Sequence, residues 1–162
     1  MRFRLAPALL PLAVLALAAL AAPAHAQPFA RAAGETALGF AERVLLLAAG
    51  DEDTHVTEAR WNGRATVFVD FSQRGAAGYD YDERALVALM QRPDGRYERV
   101  VVTIGEQEGG EPEIIAIGLA NADRDPAQEL VVMLRWPVKH LDVEGALYEV
   151  RIFDGLKPGQ AR

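Results

Sequence analysis

The sequence contains no cysteine in its 162 residues, which excludes disulfides, thiolate metal sites, a cysteine nucleophile and a lipid-modified N-terminal cysteine. Histidine is scarce too, because only His55 and His140 lie beyond the first 26 residues. Also missing are the Gly-x-Ser-x-Gly and His-Glu-x-x-His motifs and any phosphate-binding glycine-rich loop before a helix. Together these absences favour a non-enzymatic protein.

The one long hydrophobic run lies at the N-terminus. Arg2 and Arg4 precede an apolar stretch over residues 5–22, and Ala24-His25-Ala26 has the small-x-small pattern that signal peptidase accepts. An uncleaved membrane anchor is the alternative, because about 18 apolar residues can span a bilayer. The prolines in this run and the cleavage pattern favour a signal peptide, which would span residues 1–26.

Residues 27–162 then have the length of one ordinary globular domain. Without Arg2 and Arg4, 15 basic residues stand against 23 acidic ones, a net charge of −8. Such a charge disfavours nucleic acid and anionic membrane surfaces as partners. Export without disulfides is more typical of a bacterial periplasm than of a eukaryotic secretory route, so we predict a periplasmic or secreted location.

Apolar residues recur at helical spacing across residues 32–49 and form a wide stripe suited to lying on a sheet. Gly50 ends this helix, and the acidic residues 51–53 that follow predict either a solvated turn or half of a cation site.

From residue 65 the hydrophobic period changes to two, which is typical of half-buried strands. The predicted strands cover residues 65–71, 86–90, 97–104, 113–119, 129–136 and 146–153. Short connections join them, most clearly at Pro93 and Gly95, and short connections favour antiparallel pairing. The sequence therefore predicts an α+β fold, with an N-terminal helix packed on a mostly antiparallel sheet of about six strands.

Residues 72–83 are predicted to form an irregular loop in which Tyr79 and Tyr81 stand among acidic residues. Tyrosine combines an apolar ring with a polar tip, so these two side chains are candidates for binding a protein partner or a sugar. A merely solvated loop is the alternative. Trp61 and Trp136, by contrast, are predicted to lie in the core.

One stretch has the spacing of a cation site. Oxygen-bearing side chains occur at Asn121, Asp123, Asp125 and Glu129, which are positions one, three, five and nine of a segment that leads into an apolar strand. Calcium takes six to eight oxygen ligands, and alternate residues of a tight loop can direct their carboxylates to one centre. A metal-free turn is the alternative, because Asp side chains also bond to nearby backbone amides.

This stretch resembles the calcium loop of the FG-GAP and VCBS-type repeats found in integrin-like β-propellers, whose pattern is acid-x-acid-x-acid-Gly-x-x-acid-Leu. The resemblance covers residues 121–132 and implies a calcium ion, held by the four residues named above, that stabilises the turn into the strand. Pro126 occupies the position of the glycine, and the pattern occurs once. The predicted strands are too few for a closed propeller.

The leading hypothesis for function is an exported, non-enzymatic module that binds a protein or cell-envelope partner. A calcium-stabilised structural domain that uses the loop at residues 121–129 is the alternative. A third hypothesis is a periplasmic hydrolase in which His140 acts with Asp142 or Glu144.

Overall fold

The structure is a computed structural model that describes residues 28–74, 82–105 and 112–155. One helix is followed by seven strands: α1 (Ala37–Leu45), β1 (His55–Trp61), β2 (Arg64–Arg74), β3 (Asp82–Gln91), β4 (Tyr97–Gly105), β5 (Glu113–Ala120), β6 (Glu129–His140) and β7 (Val143–Phe153). The strands form two antiparallel sheets with the orders β1-β2-β3-β4 and β5-β6-β7. The predicted signal peptide lies outside the described residues. Within them, no helix has the length and apolar character needed to cross a bilayer.

The predicted helix and antiparallel pairing are present, but the prediction of one sheet of about six strands is wrong. All six predicted strands occur, β1 is additional, and the strands divide into a four-stranded and a three-stranded sheet. The sequence analysis missed β1 because most of its side chains are exposed and no apolar alternation marks it. Asn62 and Gly63, which follow it, are a strong hairpin signal, and both adopt the positive φ that a two-residue turn requires.

Three layers stack with the four-stranded sheet in the middle. One face of this sheet packs on α1 through a cluster that includes Phe40, Val69 and Leu89. The other face packs on the three-stranded sheet through a cluster that includes Phe68 and Leu134. Because β3 is covered on both faces, its side chains from residue 85 to residue 90 are all apolar and buried. Trp61 and Trp136 both lie in the second cluster, which confirms their predicted place in the core.

The chain passes from one sheet to the other after Gly105, which ends β4. A Cβ atom at this position would lie 2.9 Å from Cβ of Pro112 and 3.1 Å from Cδ2 of Leu134. Glycine therefore permits the close approach of the two sheets at this crossover. The connection at residues 106–111 lies outside the described part of the chain.

Helix α1 is shorter than the predicted helix over residues 32–49. It begins after Thr36, whose Oγ1 accepts a hydrogen bond of 3.0 Å from the amide of Gly39. It ends at Leu46, which is left-handed with φ 58°, and the amide of Leu47 then donates to the carbonyl of Glu42 at 2.9 Å. The sequence analysis predicted that Gly50 ends the helix. The left-handed Leu46 ends it four residues earlier.

Strand β6 is longer than predicted, because it continues through Pro137 to His140. The connection predicted at residues 137–145 is instead a two-residue turn of Leu141 and Asp142, closed by the pair of His140 and Val143. Proline is tolerated in β6 because β5 begins opposite Arg135, so no described strand on that side needs an N–H donor from position 137.

The left-handed conformation of Leu46 predicts a stabilising substitution. Its side chain is 90% exposed and has a Cβ atom that crowds the backbone at positive φ. We expect Leu46→Gly to raise the free energy of unfolding by about 1 kcal/mol, measured by urea denaturation. Leu46→Ala is the matched control, because it removes the exposed side chain but keeps Cβ. Equal stabilities of the two variants would contradict the prediction.

Candidate functional site

The loop between β5 and β6, residues 121–128, brings three carboxylates together. One oxygen from each of Asp123, Asp125 and Glu129 lies within 4.8 Å of the other two. The two aspartates are exposed, whereas Glu129 begins β6 opposite Ala120 and is only 3% exposed. This arrangement of carboxylate oxygens could hold a metal ion.

Each of these carboxylates uses one oxygen to hold the loop in shape. Oδ1 of Asp123 accepts from the amide of Asp125, and Oδ1 of Asp125 accepts from the amide of Ala127, both at 2.7 Å. Oε2 of Glu129 accepts from the amide of Ala122 at 2.5 Å. The turn bonds therefore do not compete with a cation, because every carboxylate keeps its second oxygen for a ligand.

The second oxygen of Glu129 is the informative atom of this cluster. Oε1 is buried and has no hydrogen-bond partner among the described residues. Buried polar atoms without a partner are rare in native proteins, and a carboxylate is among the most costly groups to leave in that state. A cation between the three carboxylates would supply the missing partner.

Asn121, the fourth predicted ligand, braces the loop. Its Nδ2 donates to the carbonyl of Asp125 at 2.6 Å and to that of Ala127 at 3.1 Å. Its role as a metal ligand stays a prediction. Pro126, which replaces the glycine of the resembling repeats, fits this loop because none of residues 121–128 has a positive φ.

The loop is also fastened to the turn between β1 and β2, which the sequence analysis did not foresee. The carbonyl of Gln128 accepts from Nε1 of Trp61 at 2.5 Å and from Nδ2 of Asn62 at 3.1 Å. The amide of Gln128 donates to Oδ1 of Asn62 at 2.7 Å. These bonds join the two sheets at the end of the molecule where the carboxylates lie.

A buried ion pair lies between the sheets at the opposite end. Nε of Arg84 donates to Oδ1 of Asp70 at 2.5 Å, and Nη2 donates to Oδ2 at 3.0 Å. Nη2 also donates to the carbonyl of Asp53 at 2.8 Å. Burial raises the pKa of the Asp70 carboxyl, while Arg84 and the charge of nearby His55 oppose that rise. No sequence pattern indicated this pair, because Asp70 occupies a polar position of the predicted strand at residues 65–71 and Arg84 lies outside every predicted strand.

This pair borders a cleft of about 480 Å³ between the sheets, lined by Asp53, His55, Arg84, Pro112, Glu113, Ile114, Ile115 and Pro137. The acidic residues 51–53 form a turn, in which the amide of Asp53 donates to Oδ1 of Asp51 at 3.1 Å. Among the described residues, only the cluster at residues 123–129 has three candidate ligands together. At the cleft, Arg84 is already paired with Asp70.

The remaining predicted site residues are not assembled into a described site. Tyr79 and Tyr81 lie outside the described residues. His140 ends β6, Asp142 lies in the exposed turn and Glu144 is exposed at the start of β7. The hydrolase hypothesis for these three residues stays a prediction.

The buried ion pair predicts an asymmetric response to mutation. We expect Arg84→Met to lower the free energy of unfolding by about 3–5 kcal/mol, because it leaves Asp70 buried beside an apolar side chain. The double variant Arg84→Met/Asp70→Val should recover most of this loss, because no unpaired charge remains. Urea denaturation of both variants is the measurement. A double variant no more stable than the single one would show that the charge of Asp70 is not the cause.

Comparison with models of protein families, with curated proteins and with solved structures finds no match to this chain.

Proposed function

We propose that this protein is an exported, non-enzymatic binding module whose fold is stabilised by calcium held at Asp123, Asp125 and Glu129. The observation that carries the proposal is the buried Oε1 of Glu129, which has no hydrogen-bond partner among the described residues. Glu129 is also the buried member of the cluster of three carboxylates. A bound cation supplies the partner that the described residues do not.

The chemistry of the ligands favours calcium among the common cations. All three groups are carboxylates, and hard oxygen ligands select Mg²⁺, Ca²⁺ or Mn²⁺ over softer metals. Calcium takes six to eight oxygen ligands, so with three carboxylate oxygens bound, half or more of its coordination positions remain for water and backbone carbonyls. Water can reach the ion because the two aspartates are exposed. We therefore expect an affinity near the roughly 10⁻⁴–10⁻³ M of calcium sites in extracellular modules.

The ion would act by holding the loop against both sheets. Three negative groups whose oxygens lie within 4.8 Å repel one another, and a divalent cation converts that repulsion into attraction. The same loop reaches the β1–β2 turn through Gln128. Fixing its conformation would therefore strengthen the connection between the sheets, which is a structural role rather than a catalytic one.

The binding role rests on sequence features and on the location that they predict. An N-terminal signal-peptide pattern, a net charge of −8 after residue 26 and the lack of catalytic motifs together favour a module in the periplasm or outside the cell. Its partner would be a protein or an envelope component, and Tyr79 and Tyr81 are the residues we propose for contact.

Calcium is expected to stabilise residues 27–162 measurably. At a concentration about 100-fold above its dissociation constant, a ligand that binds only the folded state adds about 2.7 kcal/mol to the free energy of unfolding. For a domain of this size we expect a rise in Tm of roughly 5–15 °C after prior removal of metal with a chelator. Titration calorimetry and thermal unfolding are the measurements.

Two variants locate the effect. Glu129→Gln removes the buried charge with little change in shape, so it should abolish the rise in Tm. Glu144→Gln removes an exposed carboxylate on β7 and should leave the rise unchanged. If a chain that circular dichroism shows to be folded gives neither heat nor a shift in Tm at calcium concentrations up to about 100 mM, which is about 100 times the weakest expected dissociation constant, the site is refuted.

Export predicts where the processed chain begins. Expressed with its leader in a Gram-negative host, the protein should appear in the periplasm with Gln27 at its N-terminus, as read by mass spectrometry. Ala24→Lys/Ala26→Lys should block processing, because signal peptidase requires small side chains at these positions. Wild-type protein that stays in the inner membrane at full length would show that the segment is an anchor.

A further inference from the structure

The two sheets present four edge strands, and three of them are protected against pairing with another strand. The backbone of Phe29 pairs with Tyr97 at the start of β4, while Arg151 donates to the carbonyl of Ile104 near its end. Strand β5 has an irregular register between Ile114 and Ala116. Strand β1 is short and carries exposed charged side chains. Bulges, charges and covering segments are the usual means of preventing edge-to-edge association.

Strand β7 has fewer of these protections: no described segment pairs with its outer edge, and its charged Glu149 and Arg151 bond to each other. It runs for 11 residues without proline, and its register with β6 is unbroken from Val143 to Phe153. On its outward face Tyr148, Val150 and Ile152 are 64%, 52% and 58% exposed. A long, regular and apolar edge of this kind is a template for another strand.

The hairpin geometry determines which backbone groups face this edge. The pair of His140 and Val143 closes a two-residue turn and is hydrogen-bonded, so the odd-numbered residues of β7 bond to β6. The even-numbered residues, Tyr148, Val150 and Ile152 among them, point their N–H and C=O groups away from β6. The three exposed apolar residues therefore also carry backbone groups that bond to no other described strand.

Charges on the opposite face select one register for an identical strand. Glu149 and Arg151 form an ion pair of 2.7 Å on that face. An antiparallel partner related by a two-fold axis at Val150 would place each Glu149 opposite Arg151 of the second copy. An axis at Glu149 or at Arg151 would instead place like charges opposite each other, which is destabilising.

We propose that β7 pairs with β7 of a second copy of this chain, antiparallel and centred on Val150, so that the two three-stranded sheets become one continuous six-stranded sheet. Tyr148 then lies beside Ile152 of the second copy, and the two Val150 side chains adjoin, so each side chain of the exposed apolar row gains a lateral apolar contact. The interface is isologous and closes on itself, as expected for a two-fold dimer. This inference does not depend on the cation site.

The oligomeric state of residues 27–162 is the first test. Sedimentation equilibrium from micromolar to millimolar protein should fit a monomer–dimer equilibrium. Val150→Lys places two like charges at the axis and should give a monomer throughout, whereas Ile115→Lys, a change at another exposed apolar residue, should leave the dimer intact. A wild-type chain that stays monomeric, even if its β7 accepts a peptide of another protein, overturns the proposal, as does a Val150→Lys dimer.

The lack of cysteine makes a direct test of register possible. In the proposed pairing, the Cα atoms of the two residues at position 150 lie about 5.5 Å apart, within reach of a disulfide. Val150→Cys should therefore form a covalent dimer under mild oxidation. Ile152→Cys is the control, because the two copies of that residue are about 14 Å apart along the strands and should not cross-link. Equal cross-linking of both variants would exclude this register.

Discussion

Burial of both faces of the four-stranded sheet is the constraint on which the other features depend. Helix α1 covers one face and the three-stranded sheet covers the other, so apolar side chains occupy both sides of β2 and β3. Polar groups on these strands can exist only near the ends of the sheet or fully paired. The ion pair of Asp70 and Arg84 is the second case, because its carboxylate receives two hydrogen bonds from one guanidinium.

Strand β6 connects the two polar ends of the molecule. Its first residue, Glu129, supplies the buried carboxylate of the cation cluster, and Pro137 near its other end lines the cleft above the ion pair. At one end three carboxylates converge with no ion pair to a described basic residue, and at the other Asp70 is neutralised by Arg84. The loop could therefore hold a cation, whereas the ion pair is already complete within the chain.

Local patterns in the sequence predicted the local structure and failed where distant segments meet. The alternation over residues 65–71 and the turn at Pro93 and Gly95 have direct counterparts in β2 and the β3–β4 hairpin. The short connection at residues 105–112 predicts that the strands on either side of it are antiparallel neighbours, whereas β4 and β5 lie in different sheets. Length alone does not distinguish a turn from a crossover between sheets. Similarly, the spacing of the aspartates predicted the carboxylate cluster. It did not predict the hydrogen bond that joins Gln128 of the same loop to Asn62, 66 residues earlier in the chain.

The order of strands along the chain has a consequence for folding. Each sheet is a simple meander in which sequence neighbours pair, so each can form by successive hairpins without long loop closure. Because the chain is synthesised from its N-terminus, α1 and the first four strands are made before β5–β7. Until the last three strands arrive, one face of the early sheet, with Phe68 and Leu86, has no cover. An apolar face that stays exposed for this interval is the kind of surface that promotes aggregation before folding is complete.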